Sequence, residues 1–319
     1  MIHCGKYNRK NTPKTTKLKN SAYICHIETN QTDTMPIQLP QYINVKGKLM
    51  DLSHPRVMGI LNLTPDSFYA ASRKETEADI IGRCRQIVEE GADIIDIGAC
   101  SSRPGSVQAD ATEEMQRLRD GLKIICKHFP EAVLSIDTYR ADAAKMCVEE
   151  YGAAIINDIS AGEMDSRMFD AIARLNVPYV LTHMKGTPPD MQEHPHYEHL
   201  LKEVFFHFSE KIQLLRSMGV KDLILDPGFG FGKTLEHNYC LMNHLEEFNV
   251  FQLPILAGVS RKSMIYKLLG CTPEEALNGT TVLHTTALMK GTSILRVHDV
   301  KAARETIQII TRMKAESAF

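Results

Sequence analysis

The sequence predicts an α/β protein folded as one (β/α)8 barrel, and three observations carry that reading. Eight short apolar runs alternate with longer amphipathic stretches from residue 41 onward. Most runs are β-branched or Leu-rich without strict alternation, the pattern of parallel strands buried on both faces. Each run carries a polar residue at or within two positions of its end, and a barrel builds its active site at the C-terminal ends of its strands. An open doubly wound sheet is the rival topology. It has fewer repeats and a glycine-rich first turn, which Asn62-Leu63-Thr64-Pro65 is not.

The elements follow in order. Residues 1–36 are expected to form a disordered basic tail. Up to residue 34 it carries six Lys or Arg against two carboxylates, is rich in Asn and Thr, and has no hydrophobic period. It lacks the apolar centre of a secretory signal, and Met35 near its end is a candidate start. The barrel domain is expected over 37–319, beginning with a small hairpin in 37–52 across the barrel bottom. The eight strands are VMGILN (57–62), DIIDIG (93–98), AVLSID (132–137), AAIIND (153–158), YVLTH (179–183), DLILD (222–226), PILAGV (254–259) and SILRV (293–297). Helices are expected over Glu75–Glu90, Asp142–Tyr151 and Tyr197–Met218. Each is stopped by the glycine that follows: Gly91, Gly152 and Gly219.

Composition narrows the function classes. The 319 residues are 43% hydrophobic and 24% charged, as in ordinary globular domains. A net charge of −2 offers no field for nucleic acid or an acidic membrane surface. No apolar run approaches the roughly 20 residues needed to span a bilayer. The eight cysteines form no Cys-x-x-Cys pair, and Cys84, Cys126 and Cys147 fall in helix-like stretches as buried thiols. That usage points to a reducing compartment, and the protein is expected in the cytoplasm.

The strand ends read Asn62, Asp96, Asp137, Asn157-Asp158, His183, Asp226, Ser260, and Arg296 with His298. Any one of these can serve only to cap a helix or turn. All eight strands ending this way is harder to explain by capping alone. The carboxylates favour a ligand rich in N–H donors. Arg296, His298, Lys262 and Arg103 add cations, which suggests an anion, phosphate above all. The glycines of Pro227-Gly228-Phe229-Gly230-Phe231-Gly232-Lys233 permit close approach to a ligand, although the spacing to Lys233 is not that of a P-loop. Ser260-Arg261-Lys262-Ser263 opens a helix with basic side chains suited to an anion or a carbonyl oxygen. His194, His196 and His199 resemble metal ligands only superficially and are read as a polar loop and helix start.

With these segments in hand, the chain resembles the dihydropteroate synthase family from about residue 44 to 316. The resemblance rests on GILNLTPDSF (59–68), DIIDIGACSSRPGS (93–106), SIDTYR (135–140), AAIINDISAG (153–162), HMKGTPPDMQ (183–192), LILDPGFGFGK (223–233), GVSRKS (258–263) and RVHDV (296–300). It implies a Mg2+-assisted transferase of folate synthesis. Such an enzyme joins 7,8-dihydropterin-6-ylmethyl diphosphate to 4-aminobenzoate and releases pyrophosphate. The implied pterin residues are Asp96, Asp137, Asn157, Met184, Asp226 and Lys262. The diphosphate falls to Asn62, Arg296 and His298, with Asn62 also on Mg2+. The aminobenzoate falls to Ser102, Arg103, Phe231, Lys262 and Ser263. Asp137, Lys262, Arg296 and Asp96 are the implied catalytic residues, in a dissociative substitution where diphosphate leaves first. The resemblance also implies a homodimer, with small molecules rather than nucleic acid or membrane as partners.

Two loops depart from the family pattern. Cys100 stands where the second loop has an acid, and Tyr69-Ala70-Ala71-Ser72 replaces the usual Ser-Asp-Gly-Gly. Lid motion and sulfonamide affinity depend on both. Two rival readings are a methyltetrahydrofolate-binding barrel serving a corrinoid protein and a non-catalytic pterin-binding paralogue. The intact Arg296-Val297-His298 and Ser102-Arg103-Pro104 favour the synthase over both.

Overall fold

The computed structural model describes residues 42–63, 73–100 and 109–316. The expected tail, the altered first loop, and Ser102 with Arg103 lie outside the described residues. The barrel strands are β3 (Arg56–Asn62), β4 (Ile94–Gly98), β5 (Leu134–Asp137), β6 (Ile155–Asp158), β7 (Tyr179–Thr182), β8 (Leu223–Asp226), β9 (Leu256–Ala257) and β10 (Ile294–Val297). All pair in parallel, in the order β8-β7-β6-β5-β4-β3-β10-β9. A parallel bridge between Leu225 and Ile255 joins the two edges, so the ring closes. All eight expected strands are present, each within the span read from the sequence to within one residue.

Helices return the chain between strands: α1 (Arg73–Glu89), α2 (Ala111–His128), α3 (Ala141–Tyr151), α4 (Met168–Leu175), α5 (Leu200–Ser217), α6 (Leu235–Asn243), α7 (Ser263–Leu269), α8 (Leu277–Met289) and α9 (Val300–Glu316). Gly152 closes α3 in the left-handed conformation (φ 65°), which a residue without Cβ adopts freely. Helix α5 begins three residues later than expected. Tyr197 is buried instead, with its hydroxyl donating to Gly232 O at 2.9 Å, and Glu203 accepts from the Glu198 and His199 amides at 2.8 and 3.2 Å.

The expected hairpin is β1 (Tyr42–Val45) against β2 (Lys48–Asp51), antiparallel. Its two-residue turn, Lys46-Gly47, has both φ positive (51° and 78°), the geometry that matches strand twist. Ile43 and Val45 pack with Met58, Ile94, Ile155, Val180, Ile224, Leu256 and Ile294. These are the inward-facing residues nearest the strand starts, so the hairpin plugs the N-terminal mouth. The outward faces of the strands form a larger core with the helices, including Ile97, Ile136, Ile156, Leu181, Leu225 and Leu295.

Candidate active site

Strand periodicity lifts a polar layer directly above this apolar floor. Side chains two residues apart share a face. Two residues beyond Ile94, Ile155, Ile224 and Ile294 stand Asp96, Asn157, Asp226 and Arg296. Asp137 lies inward at the end of β5, its backbone in register with Gly98 and Asn157. Residues from five strands therefore converge at the C-terminal mouth.

Arg296 organises the centre. Its Nε donates to Asp96 Oδ2 and its Nη2 to Asp137 Oδ2, both at 2.6 Å. Asn157 Nδ2 donates to the same Asp96 oxygen at 3.1 Å. Asp96 is fully buried, and its Oδ1 has no hydrogen-bond partner. A buried carboxylate oxygen left unsatisfied is costly, so this atom marks the place of an N–H or O–H donor from a ligand or water. Asp226 accepts from the Gly228 amide at 2.8 Å. A Cβ on Gly258 would lie 3.7 Å from Asp226 Oδ2 and 3.9 Å from Lys262 Nζ, so the glycine leaves space where these groups meet. Lys262 Nζ donates to Phe229 O and lies 4.5 Å from the Phe231 ring centroid. Asn62 Oδ1 and Asp137 Oδ2 both lie within 3.7 Å of a Cβ placed on Gly98, which brings Asn62 beside Asp137. Met184 is buried just past the end of β7, and Ser263 begins α7.

Burial shifts the charges. It pushes the Asp137 carboxyl up to about 7, with Arg296 opposing and Asp96 adding to the rise. Burial raises Asp226 as well, against the pull of Lys262. It lowers Lys262 to about 8, with Asp226 resisting, so the ammonium persists at neutral pH. Burial also lowers Arg296's hold on its proton, but Asp96 and Asp137 more than offset this and the net shift is upward.

Several expectations are corrected. His298 is not a cation at neutral pH, because burial and Arg296 lower it to about 4. It bonds through its backbone N–H to Ser260 Oγ at 3.1 Å, and its Nδ1 lies 3.1 Å from the same hydroxyl. The neutral ring can still offer one N–H. Arg261 does not face the mouth. It forks onto Asp299 at 2.8 Å through Nε and Nη2. Asp158 points outward, where Tyr179 OH donates to it at 2.6 Å and the Ser160 and Gly162 amides each donate at 2.8 Å. His183 also points outward, against His207 and Phe208. Two glycines of the glycine-rich loop make room for protein backbone. A Cβ on Gly228 would lie 1.9 Å from His183 O, and one on Gly232 would lie 2.1 Å from Lys185 O. His199 is the residue before α5, and His194 adopts a positive φ of 57° in the preceding loop.

Sequence reasoning missed the supports of this centre. Arg83 on α1 donates to His298 O at 2.7 Å. Buried Glu114 on α2 pairs with Arg140 and accepts from Thr138 Oγ1 at 2.6 Å, bracing the chain just past Asp137. Arg140 also donates to Ala109 O at 2.8 Å, and Arg117 to Ala99 O at 3.1 Å. Both ends of the second loop are thereby tied down. Only Arg140, three positions past Asp137, lay near a strand end where a sequence signal was available; Arg83, Glu114 and Arg117 lie inside helices.

A buried, N–H-accepting mouth above a closed barrel defines a small-molecule enzyme site. Residues 58–298 match the pterin-binding enzyme family. The chain is 41% identical over 267 residues to dihydropteroate synthase of Escherichia coli K12, covering 83% of this chain and 94% of that one. A Yersinia pestis dihydropteroate synthase structure with a sulfonamide drug superposes with a TM-score of 0.79 at 36% identity, covering 86% of this chain and 99% of that one. The Xanthomonas albilineans synthase with 4-aminobenzoic acid superposes with a TM-score of 0.78 at 35% identity, covering 86% and 98%. The chain belongs to the dihydropteroate synthase family.

Proposed function

We propose that the protein condenses 7,8-dihydropterin-6-ylmethyl diphosphate with 4-aminobenzoate, giving 7,8-dihydropteroate and pyrophosphate. The observation that carries this reading is the unpaired Oδ1 of buried Asp96 beside Asn157, Asp137 and Asp226. A pterin edge supplies the amino and ring N–H groups that such acceptors require. Lys262 suits the ring carbonyl, and Met184 the ring face. Arg296 has Nη1 uncommitted among the described residues and, with the His298 ring and Asn62, suits the diphosphate. Phe231, Ser263 and Lys262, together with Ser102 and Arg103, are assigned to the aminobenzoate, the position a sulfonamide would occupy.

In this reading the methylene–oxygen bond breaks first, and its electron pair leaves with the diphosphate. Arg296 stabilises the departing anion, while Asp96 and Asp137 lie where positive charge develops on the pterin methylene. The arylamine nitrogen then forms the new bond and loses a proton. Positioning and electrostatics carry the rate, with no covalent bond to the enzyme.

Mg2+ binds through one or two protein oxygens and otherwise keeps water or phosphate ligands. The amide oxygen of Asn62, beside Asp137 at the mouth, is a donor of that kind. Among the described residues no group of three or more His, Cys, Asp or Glu could hold a metal by itself, so substrate phosphate would complete the shell. When bound, the ion offsets charge on the diphosphate.

The test is pyrophosphate release by the purified protein with Mg2+ and the pterin diphosphate, with and without 4-aminobenzoate. Release coupled to dihydropteroate, dependent on Mg2+ and weakened in Asn62→Ala at limiting Mg2+, is expected. Pterin binding without turnover would overturn the assignment.

A homodimer is part of the proposal. Val282 and Met289 on α8 and Ile309 and Met313 on α9 are exposed at helical spacing on packed neighbouring helices, and a second copy would cover them. Sedimentation equilibrium should give twice the chain mass; a monomer at micromolar concentration would exclude the dimer. No helix among the described residues is long and apolar enough to cross a membrane, and the buried free thiols of Cys84 and Cys147 suit a cytoplasmic location.

A further inference from the structure

Lys233 is 3% exposed, and its ammonium meets neutral acceptors rather than a carboxylate. Nζ lies 2.9 Å from His183 Nδ1, 3.1 Å from His183 O, 2.9 Å from Gly228 O and 3.0 Å from Phe231 O. Two of these acceptors belong to the segment after β7 and two to the loop after β8. Burying an ammonium without a partner charge is expensive, and a Met or Leu would fill the same space at lower cost. The geometry indicates what the buried amine accomplishes. It draws three carbonyls and one imidazole onto a single point and so fastens the two segments together.

The fastened loop bears directly on the mouth. Phe229 O receives the Lys262 ammonium, and the Phe231 ring lies 4.5 Å from it. A Cβ on Gly230 would lie 3.3 Å from Lys262 Cδ, so the same loop backs the Lys262 stem. Gln192 donates to Gly230 O, and Tyr197 OH donates to Gly232 O at 2.9 Å, adding ties from the same side. Gly228 and Gly232 seat the loop so close to the His183 and Lys185 carbonyls that a Cβ at either position would clash. His183 Nδ1 faces Lys233 Nζ. Burial, with Lys233, His207 and Lys185 beside it adding to the effect, holds the ring neutral. Burial pulls the Lys233 amine well below its usual range, with Asp226 opposing and Lys262 adding to the fall.

We propose that Lys233 is a positioning residue for the arylamine half of the site, setting the Phe231 ring and the Lys262 ammonium by locking the 227–233 loop onto the β7 segment. The proposal rests on the synthase reading. The pterin floor of Asp96, Asn157 and Arg296 stands on other strands, whereas Lys262, which serves both halves, adjoins the locked loop. The test uses the full chain as wild type, Lys233→Met, which keeps the stem and removes the ammonium, and Lys233→Gln, which restores two N–H donors. KM for 4-aminobenzoate and kcat are read by turnover, and affinity for the pterin diphosphate by direct binding.

The expected result is a KM for 4-aminobenzoate raised about tenfold or more in Lys233→Met and partly recovered in Lys233→Gln. Pterin affinity should fall less, by about threefold at most, because Asp96, Asn157 and Arg296 stay in place and only Lys262 among the shared contacts moves. A role confined to holding the fold would instead lower kcat through the active fraction and leave both affinities in place. That result overturns the proposal, as does a parallel loss of pterin affinity. Failure of both variants to fold also overturns it, since Lys233 would then serve the fold as a whole. A wild-type protein that forms no dihydropteroate rejects the synthase reading itself, whereas active wild type with unchanged variants rejects only the lock.

Discussion

Arg296→Met is expected to lose roughly a thousandfold in kcat/KM, the largest single effect at this site. The side chain joins two carboxylates from different strands, Asp96 and Asp137, at 2.6 Å each. Asp96 is fully buried and Asp137 nearly so, with 14% of its side chain exposed. Methionine fills the space of the stem but leaves both carboxylates uncompensated in a low dielectric. Removing one partner from a buried charge cluster costs about 3–5 kcal/mol, and proton uptake by the carboxylates offsets part of it. The variant should therefore unfold at lower denaturant concentration at pH 8 than wild type, and this deficit should shrink toward pH 5 as the orphaned carboxylates protonate. Arg296→Lys should recover stability better than activity. An ammonium supplies the charge, but it cannot form the planar fork that spans both carboxylates and still presents a third nitrogen to diphosphate. Steady-state kinetics with urea titrations at the two pH values measure both quantities. Retention of wild-type turnover in Arg296→Met would remove this residue from the clamp.

Asp137→Asn is expected to separate catalysis from stability. The carboxyl lies where positive charge develops in the proposed reaction, so turnover should fall by about 10²–10³-fold. Stability should move the other way with pH. In wild type, burial raises the Asp137 carboxyl from 3.8 to about 7. Between those values the folded state holds a proton that the unfolded chain has released, so the contribution of Asp137 to stability is full below pH 3.8 and is lost as pH rises to 7. Asparagine has no such proton. The stability of the variant relative to wild type should increase steadily from pH 4 to 7 and level off above. Asp226 and Asp158 are raised by burial too, but they are present in both proteins and cancel in the difference. Chemical denaturation across that range reads the slope. A flat difference would show that Asp137 stays ionised through the transition, and wild-type turnover would remove it from the chemistry.

Stability and activity respond differently at these two neighbouring residues because of their signs. Arg296 neutralises more than one carboxylate, so its removal leaves excess negative charge. Asp137 is one of three carboxylates near Arg296 and Lys262, so its neutralisation lowers the crowding of like charges. Both arguments depend on the packing of β4, β5 and β10 around one point, which brings together residues up to 200 positions apart.

Much of this was legible in the sequence. The eight strands could be read because a parallel barrel strand is buried on both faces and leaves a continuous apolar run. Helix ends at Gly91, Gly152 and Gly219 could be read because a glycine stop is a local effect. The hairpin over 42–51 and the polar strand ends were visible for the same reason, and the family motifs lie within short segments. The continuous apolar runs, however, conceal which side of a strand faces the barrel axis. Asn157 and Asp158 are adjacent and equally polar, yet one meets Asp96 and the other meets Tyr179. Only barrel closure fixes that choice, by directing alternate residues to the axis. Tertiary packing also decided that Arg296 bridges Asp96 and Asp137, that His298 loses its charge to burial, and that the glycines after β8 make room for the β7 backbone. Charge state and partner choice depend on what lies across the barrel, and that is determined by the folded geometry rather than by neighbours along the chain.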